Sequence, residues 1–194
     1  EAMYLTGAFG VRLEGADRIL TALPERLAAA DAVAQGLPFY SGAINYRLPL
    51  PEMPAEKETV WLVFPEFESA CVNILVNGEK AQTIGWEPFE ADITEAVRAK
   101  AEITLQMVLT RRNTFGPLHQ IPKACPGYGP QNFITESGHF TEQYQLYPSG
   151  LLAGAAFEIR EPATPSRVQH CDTQLRYEVI PPLLLLVHPQ QCPA

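Results

Sequence analysis

The chain has 194 residues, 46% of them hydrophobic, which suits one large domain, or a domain with a tail, around a single core. It carries 14 Lys and Arg against 22 Asp and Glu, for a formal net charge of −8. A field of that sign repels phosphate backbones and anionic headgroups, so nucleic-acid and membrane-surface partners are disfavoured, while uncharged ligands meet no such penalty. The longest aliphatic run, Leu183 to Val187, falls far short of the roughly 20 residues that span a bilayer.

In chain order, Glu1 leads at once into the apolar Met3-Tyr4-Leu5, which reads as the inside of a longer polypeptide. Tyr4 to Val11 predicts a strand broken at Gly7 and Gly10, and Leu23 to Ala30 a short helix or turn with Pro24 in its first turn. From Leu37 the period becomes two. Ile44, Tyr46, Leu48 and Leu50 fall on one face of a strand over 43–50, and a Pro- and Glu-rich connection follows from Pro51 to Glu58. The β-formers of 59–64 predict a second strand, with Trp61 and Val63 facing the core. Asn77-Gly78 between the runs 70–76 and 79–84 predicts a hairpin, because both central residues of a type I′ turn need positive φ. Asp92 or Thr94 can cap one helical turn, after which 102–110 alternates again, with Leu105 inward.

Residues 111 to 150 are aromatic, punctuated by Gly and Pro, and aperiodic, as in a long loop held by its own packing. A closing strand is expected over 151–159. The division is therefore a β-sandwich over 1–160 and an appendage of uncertain structure over 161–194. The cysteines Cys71, Cys125, Cys171 and Cys192 form no CxxC pair. Cys71 reads as a buried free thiol, and a Cys171–Cys192 disulfide stays open with nothing in the sequence to support it. No secretory signal is visible, so the compartment is unknown, with the cytoplasm slightly favoured. Short strands joined by turns, without strand–helix alternation, predict an all-β antiparallel sandwich rather than a (β/α)₈ barrel, which takes ~250 residues.

The stretch Gly36-Leu37-Pro38-Phe39-Tyr40-Ser41-Gly42-Ala43-Ile44-Asn45-Tyr46-Arg47 resembles the opening strand of galactose-binding-like jelly-roll domains. Such domains are attached to large glycoside hydrolases of the β-galactosidase/β-glucuronidase and α-L-rhamnosidase types. Later pieces follow in the same order: a strand bearing Trp61, Val76-Asn77-Gly78, Gly85-Trp86-Glu87-Pro88-Phe89, Asp92-Ile93-Thr94, and a strand ending near Arg111. The resemblance covers about residues 4 to 160, with its specific core at 36 to 110. It implies a galactose-binding-like jelly roll whose catalytic carboxylates sit on a separate barrel, and nothing in this chain matches that barrel.

Candidate chemistry is sparse. Glu66 and Glu68 are acids on one strand-end loop, whereas a glycosidase needs two carboxyls roughly 5 to 9.5 Å apart across an enclosed substrate. The reading is surface charge and no catalytic residue. His119, His139, His170 and His188 lack the spacing that brings two imidazoles to one metal, and Ser69, Ser137 and Ser149 lack a nucleophile context. No metal site or cofactor is expected, although a structural calcium held by backbone carbonyls would leave no sequence trace. The segment from Arg111 to His119 is the candidate binding site. Arg111, Arg112, Asn113 and His119 offer planar hydrogen-bonders, and Trp86, Tyr40 or Tyr128 could supply a ring for the apolar face of a sugar. The competing reading has Arg111 and Asn113 anchor the loop by satisfying its carbonyls.

The resulting expectation is a non-catalytic accessory domain of a glycoside hydrolase. It would pack against the catalytic domain of the same polypeptide and contact carbohydrate in some cases. An autonomous carbohydrate-binding module and a small enzyme of unknown class are the rivals. An exposed aromatic platform would favour the module, an apolar face awaiting another domain the accessory role, and converging ionisable groups the enzyme.

Overall fold

The computed structural model describes residues 3–124, 127–135, 138–161, 164–170, 174–180 and 183–187. The first half forms β1 (Met3–Gly7), β2 (Gly10–Glu14), β3 (Asp17–Thr21), β4 (Leu27–Ala28), β5 (Ala43–Arg47), β6 (Thr59–Val63), β7 (Phe67–Glu68), β8 (Cys71–Val76), β9 (Glu79–Ile84) and β10 (Glu90–Asp92). Then come α1 (Thr94–Arg98), β11 (Ile103–Val108), α2 (Arg112–Phe115), β12 (Gly150–Leu151), β13 (Ala156–Glu161), β14 (Thr164–His170), β15 (Gln174–Ile180) and β16 (Leu183–Val187).

The fold is an all-β antiparallel sandwich. One sheet has six strands in the order β4-β15-β5-β11-β8-β9, and the other has four in the order β10-β6-β13-β14. Register explains the core. Leu105 lies opposite Tyr46 on one side and Ile74 on the other, and Met107 lies between Ile44 and Val72. All six are buried, and their cluster includes Val60, Leu62 and Phe64 from β6 and its end, and Phe157 from β13. Two inner faces with period-two alternation thus close on each other, as sheet packing requires.

The Asn77-Gly78 turn has φ of 51° and 83°, the left-handed pair of a type I′ hairpin, and it joins β8 to β9 as expected. The Asp92 carboxylate accepts the N–H of Thr94 at 2.9 Å at the start of α1.

Three expectations need correction. On β6 the phase is reversed: Val60, Leu62 and Phe64 are buried, while Trp61 and Val63 face the outer side, half-buried. A run of apolar residues on both faces carries no parity signal. The predicted closing strand is interrupted, because Leu152 and Ala153 both donate to the Glu66 carbonyl at 3.2 Å between β12 and β13. Of the short helix or turn read over residues 23 to 30, the helix is absent: the segment bends around the two-residue β4. An alanine run of that length cannot sustain one unaided, and the Gln35 side chain instead accepts from Ala28 N at 2.7 Å and donates to Ala30 O at 2.9 Å.

The segment expected as an appendage contributes backbone strands. β15 pairs with both β5 and β4, β14 pairs with β13, and β16 pairs with β1. The Cys71 thiol is free and half-buried; the suggested Cys171–Cys192 link lies outside the described residues.

Candidate functional site

The long loop leaves β11 through α2 and is organised by its own polar side chains. Arg111 starts α2 with its backbone, its carbonyl accepting the N–H groups of Thr114 at 3.1 Å and Phe115 at 2.9 Å. Asn113 is 4% exposed; its Nδ2 donates to Tyr147 O at 2.7 Å and its Oδ1 accepts from Tyr147 N at 2.9 Å. The buried Thr114 hydroxyl donates to Phe39 O at 2.8 Å, tying the loop to the segment before β5. Further out, Thr141 N donates to His119 O at 2.8 Å, Ile121 N to His139 O at 2.7 Å, and Gln145 N to Leu118 O at 2.7 Å. The loop therefore doubles back on itself in a narrow ladder, which satisfies its backbone without a sheet.

A small apolar cluster supports it from below. Val11, Phe39 and Leu118 are buried together, with Phe9, Leu13, Tyr144 and Leu146 packed around them. Burial raises the Tyr144 phenol above its ordinary pKa, with the Arg18 charge opposing the rise.

Of the residues singled out in the sequence, the structure separates most. Tyr40 is 2% exposed in the main core and donates its hydroxyl to Ala43 O at 2.8 Å, so its ring offers no stacking face. The Tyr40 ring, a candidate stacking surface in the sequence, instead helps close the turn into β5. His119 faces Thr141 O through Nδ1 at 3.0 Å and packs its ring 4.7 Å from Tyr144 and 5.7 Å from Phe140. Asn113 has both polar ends engaged with the Tyr147 backbone. The Arg111 side chain lies exposed beside α2. Trp86 sits on the β9–β10 connection with 82% of its surface exposed.

Arg112 alone heads a cluster. Its guanidinium carbon lies 4.9 Å from the ring centre of Tyr128 and 4.8 Å from that of Tyr147. The Lys123 ammonium stands 4.7 Å from the same Tyr147 ring and donates to Leu146 O at 3.1 Å. The two phenol oxygens are 3.3 Å apart and share the Lys123 carbonyl, which lies 3.2 Å from Tyr128 and 3.0 Å from Tyr147, so one phenol can donate to the other while its neighbour donates to Lys123 O. The hydrogen bond with Tyr128, together with lost solvent, raises the Tyr147 phenol, and the Arg112 charge opposes this. A Cβ at Gly116 would collide with Arg112 Nη1, so glycine there lets the guanidinium fold back over the loop. Tyr147 and Lys123 carry no motif in the sequence; only the fold brings them, 35 and 11 positions past Arg112, to one point.

Elsewhere, a groove of about 720 Å³ runs between β9 and α1. Its ionic groups are paired internally, Arg98 with Glu95 at 3.2 Å and with Glu56 O at 2.9 Å, and no aromatic ring lines it among the described residues. Glu66 and Glu68 are both exposed. Among the described residues, no three His, Cys, Asp or Glu side chains gather closely enough to hold a metal ion.

No family model and no curated protein matches the chain. Among solved structures it resembles a rhamnosidase from Novosphingobium sp. PP1Y, at 21% identity and a TM-score of 0.44, over 82% of this chain and 15% of that one. It resembles a β-glucuronidase from Parabacteroides merdae at 14% identity and a TM-score of 0.33, over 95% of this chain and 31% of that one. An FMN-binding β-glucuronidase from Facaelibacterium prausnitzii L2-6 gives 15% identity and a TM-score of 0.32, over 95% and 34%. These structures are glycoside hydrolases, and the chain spans a minor part of each.

Proposed function

We propose that this chain is a non-catalytic, galactose-binding-like domain of a larger glycoside hydrolase, and that its long loop packs against the catalytic domain of the same polypeptide. One observation carries the reading. Phe115 at 43%, Ile121 at 50%, Tyr128 at 46%, Phe133 at 56% and Ile134 at 51% exposure all lie on that loop, whereas the exposed Leu5, Leu20, Leu50, Met53 and Trp86 are spread over the rest of the described chain. Large apolar side chains gathered on one loop suit a surface that another domain covers. The order of sequence pieces from 36 to 110 agrees with such a role.

The test places Phe133→Ser with Ile134→Ser in the full polypeptide and, separately, in the 194-residue chain. The docking reading expects the full protein to lose thermal stability and the short chain to be unchanged. Equal melting temperatures for variant and parent in the full protein would defeat it.

A second reading, an autonomous carbohydrate-binding module, is favoured by the exposed indole of Trp86. An aromatic face in water can stack on the C–H face of a pyranose. Calorimetry with neutral monosaccharides should then give heat that Trp86→Ala removes. Absence of heat in the parent chain would leave Trp86 without that role.

A further inference from the structure

Arg112 has an unmet requirement. All three of its guanidinium nitrogens are buried and none makes a hydrogen bond of good geometry, although the guanidinium stands close enough to the Tyr147 phenol to oppose the rise in its pKa. A guanidinium carries five N–H donors, and each donor withdrawn from water needs an acceptor to offset its lost hydration. The faces of Tyr128 and Tyr147 attract the positive charge, but a ring face replaces few of those hydrogen bonds. Lys123 adds a second cation to the same ring. Among the described residues, neither Arg112 nor Lys123 forms an ion pair, although Arg12, Arg47, Arg98 and Arg160 all do. The surrounding loop is also the positive part of an acidic chain: residues 111–150 carry Arg111, Arg112 and Lys123 against Glu136 and Glu142, within a net charge of −8.

The two rings are held differently. Tyr147 is gripped at its backbone by Asn113, on the inner side. Tyr128 is 46% exposed and stands between Gly127 and Gly129, where a Cβ at Gly127 would meet nothing within 4 Å. Tyr128 is the more exposed of the two leaves, its hydroxyl resting on Lys123 O at 3.2 Å.

The geometry points to a binding site at Arg112 for a small carboxylate, entered when the Tyr128 ring is displaced from the guanidinium. The guanidinium fork takes the carboxylate through two parallel N–H···O bonds and Lys123 adds a second positive charge, while the Tyr147 ring stays against both cations. This inference concerns the 194-residue chain by itself; a catalytic domain docked over Tyr128 would close the same entrance, so ligand binding to the chain and docking in the full polypeptide are read in separate experiments.

The experiment titrates the 194-residue chain by calorimetry with glucuronate, with glucose as the same ring lacking the carboxylate, and with inorganic phosphate. Glucuronate is expected to bind about ten-fold or more tighter than either comparator, since a buried fork left without its matching acceptor loses a charge-assisted pair. Arg112→Gln should abolish glucuronate binding. Arg112→Lys keeps charge and stem but loses the fork, so it should weaken binding while leaving the melting temperature near that of the parent. Tyr128→Ala should tighten binding, because the outer ring then no longer covers the guanidinium in the free chain. Equal binding of glucose or phosphate overturns the carboxylate class. Lack of saturation by glucuronate, unchanged binding in Arg112→Lys, or loss of binding in Tyr128→Ala overturns the site.

Discussion

Asn113 grips the main chain of Tyr147 from both ends, donating from Nδ2 to Tyr147 O at 2.7 Å and accepting at Oδ1 from Tyr147 N at 2.9 Å. The amide mimics a β-ladder partner 34 positions away in the chain, and so ties the start of the long loop to its end. Asn113 is 4% exposed, and water cannot readily replace it. Asn113→Ala should strand both groups at about 1–3 kcal/mol each. Asn113→Asp keeps the acceptor but sets a carboxylate oxygen against the Tyr147 carbonyl, and should be destabilising as well. Urea unfolding of the three chains checks this; a midpoint unmoved in Asn113→Ala would show that the clamp contributes nothing to stability.

Leu105 offers the corresponding test of the sandwich core. It is fully buried at the centre of β11, opposite Tyr46 and Ile74. Leu105→Ala removes three carbon atoms from a site walled by two neighbouring strands and the facing sheet, and should cost ~2–5 kcal/mol. The expected signature is a lower denaturation midpoint with an unchanged slope.

The parts of the fold visible in the sequence are those where local chemistry decides. Asn77-Gly78 adopts positive φ at both positions because few other residues tolerate it, and the alternation of Ile44/Tyr46 and Leu105/Met107 survives because each of those strands has one buried face. β6 escaped because Thr59-Val60-Trp61-Leu62-Val63 is β-forming throughout, so parity rests on which sheet lies opposite. The candidate site was legible only in part. Arg112 stood out as a planar donor after a strand, but its partners arrive through backbone ties such as Asn113–Tyr147, which leave no spacing to read. Tyr40 reads as a candidate stacking ring because sequence alone does not distinguish an exposed aromatic from a buried one, and its 2% exposure places it in the core.

The proposed absence of hydrolytic activity in the chain by itself has a direct measurement. Glu66 and Glu68 are exposed on either side of Phe67, and the Glu66 carbonyl serves as an acceptor for the turn after β12. A solvated pair on one edge cannot bracket a glycosidic bond. Aryl-glycosides should be left intact by the purified chain. Turnover that disappears in Glu66→Gln or Glu68→Gln would require a different account of this edge.

A last prediction concerns pH and the outer face of the four-stranded sheet. Arg160 donates from Nη2 to Glu90 at 2.7 Å and to Glu158 at 2.8 Å, with its guanidinium carbon 4.6 Å from the Trp61 ring centre. The hydrogen bond from Arg160 is the main reason the Glu90 carboxyl titrates below its ordinary value; partial burial pushes the other way, and the Arg160 charge reinforces the lowering. Because the folded pKa lies below the unfolded one, this pairing stabilises the fold above the unfolded value, and the benefit is lost as pH falls through the folded value. The side chains of Arg160 and Glu90 remain 29% and 26% exposed, so solvent screening keeps the contribution to about 1 kcal/mol. Glu90→Gln removes the ionisable partner. The melting temperature of the parent should exceed that of Glu90→Gln near neutrality, and the gap should close as pH drops below about 4, the ordinary range of a glutamate. A gap that stays constant down to acid pH would assign the difference to packing beside Trp61 instead of charge.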